Sequence, residues 1–507
     1  MNNRRLKINA ITSILQTATS AITLVILYRY LIDIIGVARF GVWSLVVGIS
    51  SLVGAGNLGL TGSLVKYVAD YDAVNDNLGM SKAIQTGVLT TAVISLIVVA
   101  AGYPLGQYYL RVTLAEDLLG QALEILPIAL AAFWIMMLTN VYQSALYGRR
   151  KVAERNMVLI FEAIAHLGLC AALAHKYGLV GLAYARFLIN IVSLILTIGI
   201  LKRSNQLIPF LPYVWNKMIF RSMLGYSLNT QLISLLVMLC DPLTKGLLSR
   251  FGSAVDVGYY EMANKAILQI RAVIVNSFQV MVPEFARMHT QNPEKIKDFY
   301  YAGFNMVFFV SLCCYATLMA AVPLISQIWL GSLNDMFMFS LCVLSAGWFL
   351  NTIAVPAYFA NQGTGYLRDN VFSHILTATI NVSLGYLLGL KAGTFGIVLA
   401  WGVALGASGL YQTVMFQLGL QERRLMLVPI KSRLLYLICG LGLVSAGYLF
   451  NALRDVEYFF IADAVGGVPI TGLTTGILVI TTFVLVVFYP MWKSPFRKEL
   501  LIRLLKK

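Results

Sequence analysis

The chain has 507 residues, of which 59% are hydrophobic and only 12% are charged, and its mean hydropathy is +0.78. Soluble globular proteins carry about 25% charged residues, so this composition excludes an ordinary water-soluble enzyme. In a soluble protein the net charge of +16 would suggest a nucleic-acid ligand, but here the basic residues lie mostly in short segments between apolar runs. We therefore expect a multi-pass membrane protein whose solvent is the bilayer, with no nucleic-acid partner.

Fourteen apolar runs are long enough to cross a bilayer as helices of about 20 residues. Their approximate limits are 8–28, 40–63, 83–108, 121–146, 156–174, 178–201, 222–247, 258–284, 299–323, 336–359, 370–389, 393–417, 434–452 and 466–490. The fold class predicted is all-α, and no connection between these runs is long enough to form a soluble domain.

The distribution of Lys and Arg predicts the orientation of the chain. With an even number of helices both termini lie on one side, and that side holds 27 of the 38 basic residues, against 7 on the other side and 4 within helices. Because cytoplasmic segments are enriched in Lys and Arg, both termini are predicted to be cytoplasmic. The expected location is the inner or plasma membrane.

An internal repeat relates 148–185 to 363–400 at a constant offset, without a gap in either copy. Repeats of this length are a sign of duplicated architecture. The matched residues are Gly148, Leu169, Leu173, Lys176, Gly178, Gly181 and Ala185 in the first copy, and Gly363, Leu384, Leu388, Lys391, Gly393, Gly396 and Ala400 in the second.

The offset spans six helices, an even number, so the two copies have the same orientation. Parallel repeats of this kind occur in transporters that bind substrate between the halves. We expect an N-terminal six-helix bundle over 1–203, a second bundle over 204–420, and two extra helices with a basic tail over 421–507. The two bundles would surround a central cavity.

Polar side chains recur on one face of four predicted helices. Such groups are costly in lipid and usually face protein or a water-filled cavity. The first and seventh helices carry Asn9, Ser13, Gln16, Ser20 and Thr23, and Ser227, Thr230, Gln231, Ser234, Asp241 and Lys245. The second and eighth carry Ser50, Asn57 and Thr61, and Glu261, Lys265, Gln269, Asn276 and Gln279.

The charges within the helices fall into two kinds. Spacings of i,i+4 relate Asp241 to Lys245 and Glu261 to Lys265, so each pair either neutralises itself or forms a gate or ion-coupling cluster. Arg271 has no carboxylate at such a spacing on its own helix. It either pairs with a carboxylate of another helix or binds an anion, for which its planar guanidinium suits phosphate oxygens.

Two further i,i+4 pairs lie in the first bundle, Glu162 with His166 and Arg186 with Asn190. The predicted substrate-binding residues are Arg271, Lys265, Gln269, Asn276, Arg186, Gln16 and Gln231. The predicted gating or ion-coupling residues are Asp241, Lys245, Glu261, Arg29 and Glu162.

Several catalytic signatures are missing from the sequence. It has no P-loop, no dinucleotide fingerprint, no HExxH and no metal-spaced Cys/His cluster, and its six cysteines lie within apolar runs. We therefore expect no metal, no bound cofactor and no enzymatic activity. A transporter of this kind is a facilitator or is coupled to H⁺ or Na⁺.

The sequence resembles the polysaccharide transporters, or O-antigen flippases, of the multidrug/oligosaccharidyl-lipid/polysaccharide flippase superfamily. The motifs that carry the resemblance are Gly36-x-x-x-Phe40-Gly-Val-Trp43, Asn57-Leu-Gly-Leu60, Gly178-Leu-x-Gly-Leu-Ala183, Asp241, Gly258-Tyr-Tyr-x-x-Ala263-x-Lys265, Pro283 with Arg287, Asn381 and Gly393-x-x-Gly-Ile397. They extend from the first predicted helix to the twelfth.

This resemblance implies an alternating-access bundle that carries a polyprenyl-pyrophosphate-linked oligosaccharide from the cytoplasmic to the outer leaflet. The last two helices would form a groove for the polyprenyl tail, and the polymerase or ligase of polysaccharide assembly is a candidate partner. Asn57 stands where the family has Asp, which weakens an ion-binding role there. The first helix has no arginine in its membrane span, only Arg29 at its outer end, which argues against lipid II as substrate.

Two other functions stay open at this stage. A drug or cation antiporter of the same fold should rely on cavity carboxylates, yet Asp241 and Glu162 are outnumbered by the cations Lys265, Arg271 and Arg186. A polyprenyl-dependent glycosyltransferase or ligase should hold its catalytic groups in a large outer loop, whereas the outer carboxylates here are scattered over short ones.

Overall fold

The computed structural model describes residues 3–57, 59–421 and 425, without the side chains of 3–7, 10, 55–57 and 224–237. All regular structure in these residues is helical, as the composition predicts. The α-helices of this part of the chain are α1 (Asn3–Ser51), α2 (Leu60–Ala73), α3 (Asn77–Thr113), α4 (Glu116–Gly148), α5 (Val152–Ser204), α6 (Lys217–Phe251), α7 (Ala254–Phe278), α8 (Met281–Gln291), α9 (Ile296–Ala320), α10 (Val322–Leu330), α11 (Asp335–Thr352), α12 (Val355–Thr364) and α13 (Arg368–Gly419).

Eight helical stretches of the described residues are long and apolar enough to cross a membrane. Three of them are far too long for one crossing, since α1 has 49 residues, α5 has 53 and α13 has 52. At 1.5 Å per residue each would extend about 70–80 Å, more than twice the thickness of the hydrocarbon core. The predicted helices 434–452 and 466–490 lie outside the described residues, so the number of fourteen stays a prediction.

Glycines with positive φ break the long helices where the sequence places the ends of predicted spans. The backbone leaves the helical region at Gly36 (φ 80°), Gly178 (φ 56°) and Gly393 (φ 57°). A side chain strains this conformation, which glycine adopts freely. In α5 the chain reverses direction at Gly178. The evidence is an ion pair between Glu162 and Arg186, which lie on opposite sides of that glycine in the sequence. A continuous helix would separate them by about 36 Å.

The hairpins of α5 and α13 have matching geometry at matching sequence positions. Shortly after each reversal the two halves pack so closely that a Cβ on Gly181 would overlap the carbonyl oxygen of Leu173, and a Cβ on Gly396 that of Leu388. Both members of each contact are matched residues of the internal repeat. The two hairpins therefore share their closest backbone approach as well as their turning glycine.

A second matched contact lies before each hairpin. A Cβ on Gly148 would lie 2.7 Å from the carbonyl oxygen of Val65, and one on Gly363 would lie 2.6 Å from that of Val282. These agreements are what a duplicated sequence would produce. They do not locate the predicted domain boundaries, which stay predictions.

Three predicted helices are interrupted near a proline. Each of three predicted runs is divided into two helices. The run 258–284 is broken at 279–280, after α7; the run 299–323 at 321, after α9; and the run 336–359 at 353–354, after α11. Proline lacks an N–H and clashes with the carbonyl four residues earlier. A proline follows each break, near the start of the next helix: Pro283, Pro323 and Pro356. The prediction from hydropathy missed these breaks because hydropathy does not measure the loss of a backbone hydrogen bond.

The chain forms two compact units, Met1–Gly258 and Tyr259–Lys507. In the first, α4 packs on both α3 and α5, and α1 packs along α5. In the second, α11 packs on α13, and α12 packs on α8. Within the first unit an apolar cluster joins α2, α3, α4, α5 and α6. Its members include Leu60, Leu64, Val68, Met80, Ile84, Val88, Val141, Tyr142, Leu146, Leu201, Ile208 and Met223.

The hairpin in α5 gives a test of this packing. Gly181→Ala should destabilise the protein by about 1–3 kcal/mol, because its methyl group has no space beside the Leu173 carbonyl. Gly199→Ala is the control in the same helix, since a Cβ there meets nothing within 4 Å. Thermal unfolding of the purified proteins in detergent measures both, and equal melting temperatures for the two variants would contradict the close approach.

Candidate functional site

The predicted pair of Asp241 and Lys245 forms an ion pair on α6, with 2.7 Å between the carboxylate and the ammonium. The Lys245 side chain is only 1% exposed, and its Nζ lies 3.5 Å from the carbonyl oxygen of Ser44 on α1. Gly48 of α1 lies against the same side chain, since a Cβ there would be in ordinary contact with the lysine Cδ, at 3.4 Å. This pair therefore packs α6 against the part of α1 that follows Gly36.

The pair of Glu261 and Lys265 on α7 is also formed, at 3.5 Å. The two side chains differ in exposure, at 4% for Glu261 and 34% for Lys265. The acidic side chain of the pair is thus buried, whereas about a third of the basic one is exposed. A ligand approaching this face of α7 would meet the positive charge first.

Arg271, less than two turns further along α7, is bound differently from the lysines. Its guanidinium carbon lies 4.5 Å from the centre of the Trp348 ring, and its Nη2 donates a hydrogen bond of 3.3 Å to Oδ1 of Asn351. Its Nε is buried without an acceptor. Among the residues that the structure describes, no carboxylate lies within ion-pair distance of this guanidinium.

The partners of Arg271 come from α11 and are fixed by α13. Asn351 Nδ2 lies 3.5 Å from the carbonyl oxygen of Leu405 and 3.4 Å from Oγ of Ser408. Trp348 packs edge-to-face on Trp401, with 6.4 Å between ring centres. The guanidinium is thus oriented by neutral groups, which leave its positive charge uncompensated.

Other polar groups of the second unit, which are not carboxylates, lie close enough to Arg271 to interact with its charge. Tyr358 and His374 are within electrostatic range of the guanidinium, and their rings are 5.8 Å apart. The indole N–H of Trp348 and Nε2 of His374 have no hydrogen-bond partner in the described part of the chain. We call Arg271, Trp348, Asn351, Tyr358 and His374 the Arg271 cluster.

A second cluster of polar groups lies in the first unit, across the α5 hairpin. Glu162 Oε1 is 3.7 Å from Nη1 of Arg186, and Oε2 accepts a hydrogen bond of 3.0 Å from Ser193. The sequence had instead paired Glu162 with His166 and Arg186 with Asn190. His166 contacts Cys170 at 3.4 Å, and Asn190 donates to the carbonyl oxygen of Ala132.

The remaining predicted residues occupy separate places. Gln16 donates to Ser20 of its own helix at 3.1 Å, and Arg29 pairs with Asp33 at 3.2 Å. Gln269 is half-buried and Asn276 is exposed. The side chain of Gln231 lies outside the described ones. The structure therefore leaves the binding and gating roles of these residues as predictions.

Sequence reasoning did not identify Trp348 and Asn351 as partners of Arg271. They lie on α11, several helices further along the chain, so no helical spacing connects them with α7. One available signal was Asn351 itself, a polar side chain within an apolar run, because such groups are retained in membranes where they have a partner.

The buried ion pair on α6 allows a stability test. Asp241→Asn should cost about 1.5–3 kcal/mol, because it removes a charge-assisted contact from a lysine that is 1% exposed. The matched control is Asp33→Asn in the exposed i,i+4 pair with Arg29, where the loss should stay below about 0.5 kcal/mol. Thermal unfolding in detergent measures both, and similar losses would mean that Lys245 does not depend on Asp241.

Comparison with known proteins identifies the family. The family described as "Polysaccharide biosynthesis protein" matches residues 31–335. No curated protein matches the chain.

Solved structures of transporters share the fold at low sequence identity. The lipid II flippase MurJ, in an inward closed conformation, has a TM-score of 0.68 and 14% identity, covering 96% of this chain and 99% of its own. An inward-facing multidrug resistance MATE transporter of the MOP superfamily also has a TM-score of 0.68, with 16% identity over 79% of this chain and 94% of its own.

A MOP superfamily transporter from Pyrococcus furiosus, described by the reverse polarity of its binding pocket, has a TM-score of 0.55 and 14% identity. It covers 79% of this chain and 95% of its own. These likenesses establish the fold, and the family match covers more than half of the chain. The protein is therefore a multi-pass membrane protein with the fold of MOP superfamily transporters, and it belongs to the polysaccharide biosynthesis protein family.

Proposed function

We propose that this protein is a flippase that moves a polyprenyl-pyrophosphate-linked oligosaccharide from the cytoplasmic to the outer leaflet by alternating access. The lipid-linked product would then enter the synthesis of a cell-surface polysaccharide. Family membership supports the place in polysaccharide biosynthesis, and the fold supports transport. MurJ, which shares the fold, is described as a flippase of another lipid-linked substrate, lipid II.

The observation that carries this proposal is the uncompensated charge of Arg271. Placing an arginine at the centre of a membrane helix costs about 2.5–3.5 kcal/mol on insertion scales. The described residues around Arg271 offer an aromatic face and an amide oxygen, but no anion. A pyrophosphate would supply the missing charge and accept the guanidinium N–H groups in the two-point geometry that arginine favours.

Lys265 is the second cation that we assign to the substrate. It lies less than two turns before Arg271 on α7, and about a third of its side chain is exposed. Its carboxylate partner Glu261 is buried and lies 3.5 Å from the ammonium, so the pair holds Lys265 in place at this position of α7. We infer that Lys265 attracts the phosphate groups and that Arg271 binds them.

A cationic site of this kind distinguishes the proposed function from drug or cation export. A cation exporter needs carboxylates that face its substrate, whereas the Arg271 cluster contains none. The MATE structures share the fold, so export remains the alternative outcome of the experiment below.

A sided flipping assay tests the proposal. Purified protein is placed in liposomes with a fluorescent polyprenyl-pyrophosphate oligosaccharide, and an impermeant quencher reports which leaflet the lipid occupies. We expect flipping by the wild type and a loss of at least about tenfold in Arg271→Ala and in Lys265→Ala, because each removes a charge-assisted contact to phosphate. Arg271→Lys should also be impaired, since lysine does not reproduce the planar, stacked guanidinium.

Arg368→Ala is the control, because Arg368 is 89% exposed at the start of α13 and pairs with its neighbour Asp369. It should flip at the wild-type rate. Normal flipping in both Arg271→Ala and Lys265→Ala would remove the cationic site. A wild type that flips none of several lipid-linked glycans under an imposed ion gradient, but exports cations, would replace the flippase with an antiporter.

A further inference from the structure

The cluster across the α5 hairpin has a different balance of charge from the Arg271 cluster. Glu162 lies in the first half of α5 (152–177), and Arg186 and Ser193 lie in the second half (179–204). Both carboxylate oxygens of Glu162 have a partner, one in Arg186 and one in Ser193. The carboxylate is therefore the resident counter-anion of Arg186.

Arg186 is held only loosely by that counter-anion. The distance of 3.7 Å to Glu162 is well beyond the roughly 2.7–2.9 Å of a charge-assisted hydrogen bond. Its other hydrogen-bond contact among the described residues is from Nη2 to the thioether sulfur of Met136, at 3.5 Å, and sulfur is a weak acceptor. The side chain is also 28% exposed. Arg186 thus has N–H donors available to a stronger acceptor.

A phosphate-class oxyanion at Arg186 would meet Glu162 as a competitor. When Glu162 is ionised, it neutralises the guanidinium and repels the incoming anion. When Glu162 is protonated, the site has a net positive charge, and the carboxylic acid keeps its hydrogen bond because the Ser193 hydroxyl both donates and accepts. Proton binding at Glu162 and anion binding at Arg186 then favour each other by thermodynamic linkage.

Other titratable groups lie on the helices that pack on this site. His166 is one turn from Glu162 on the same half of α5, and its Nε2 contacts Cys170. From α1, Tyr30 donates to the carbonyl oxygen of Ala171, while Arg29 and Asp33 pair with each other. The remaining charged groups on α4 and on the first turn of α5 lie toward the helix ends, and they are Glu116, Asp117, Glu124, Glu154 and Arg155.

We propose that Arg186 is a second oxyanion site for the substrate, and that Glu162 makes occupation of this site depend on a proton. The inference rests on the proposed function and adds to it the coupling ion, a proton, and the residue that carries it. The oxyanion belongs either to the pyrophosphate of the carrier lipid or to an acidic sugar of the glycan, since both would bind a guanidinium in the same way.

The first measurement is binding of farnesyl diphosphate to the purified protein at one fixed, neutral pH. Glu162→Gln removes the competing charge and keeps an oxygen that accepts from Ser193. It should bind at least about fivefold more tightly than the wild type, within the usual range of coupling between two sites. Glu162→Asp is the matched control, which keeps the charge and should bind like the wild type. Equal gains in both variants would mean that packing, and not charge, is responsible, and would overturn the proposal.

The double variant Glu162→Gln/Arg186→Gln assigns the gain to Arg186. If the site is correct, the gain produced by Glu162→Gln disappears in this background. A gain that persists without Arg186 overturns the proposal. If Glu162→Gln does not bind farnesyl diphosphate more tightly, the same variants are compared with a uronic acid oligosaccharide that lacks the lipid. Tighter binding of that probe assigns the oxyanion to the sugar. Unchanged affinity for both probes overturns the proposal. Should Glu162→Gln fail to fold, Glu162→Ala removes the same charge and is expected to give the same result.

The second measurement is flipping under an imposed pH gradient. We expect the wild type to respond to the gradient, Glu162→Gln to flip without responding, and Glu124→Gln, at an exposed position on α4, to behave as wild type. A gradient response that survives in Glu162→Gln but is lost in His166→Asn would assign the proton to His166 and overturn the proposal. Absence of flipping in every variant and in wild type would instead count against the flippase function itself, so the two failures are distinguishable.

Discussion

The cost of placing charge in a hydrocarbon environment shapes both the packing of this protein and its chemistry. Lys245 illustrates the strict case, in which a cation with almost no exposure has a carboxylate at 2.7 Å. Arg271 is the exception, since its described partners are an indole ring and an amide. A membrane protein retains such an exception where a ligand completes the balance, and an anionic substrate would do so here.

Glycine determines where these charges can meet. The reversal at Gly178 brings Glu162 beside Arg186 and Ser193, and it depends on a backbone conformation that a side chain would strain. The close approach at Gly181 then keeps the two halves of α5 in contact over the next turn. The equivalent reversal at Gly393 has nearly the same φ, so both units contain a helical hairpin of the same design.

The two cationic clusters differ in how their charge is held. Arg271 is oriented by neutral groups of α11, whereas Arg186 has a carboxylate of its own at a distance too long for a strong hydrogen bond. The first arrangement suits an anchor that is always ready for phosphate. The second suits a site whose affinity changes when its carboxylate takes up a proton, which gives a physical route from an ion gradient to substrate binding.

The sequence by itself determined that the protein lies in a bilayer, that its fold is helical, and which charged residues pair within one helix. Apolar runs and basic loops predicted a polytopic helical protein, and i,i+4 spacing predicted the pairs of Asp241 with Lys245 and Glu261 with Lys265, because such partners lie one turn apart whatever surrounds them. The proline interruptions at 279–280 and 353–354 were missed, since hydropathy measures burial and not backbone hydrogen bonding.

Only the tertiary structure decided the partners that come from distant segments. Arg271 on α7 meets Trp348 on α11, and Glu162 meets Arg186 across a hairpin, and no periodicity within a helix contains that information. The i,i+4 spacing that predicted the lysine pairs also predicted His166 as the partner of Glu162 and Asn190 as the partner of Arg186. In the folded protein His166 contacts Cys170 and Asn190 donates to Ala132. The physical reason is that helix geometry sets which residues share a face, whereas the contact between two faces is set by how the helices pack.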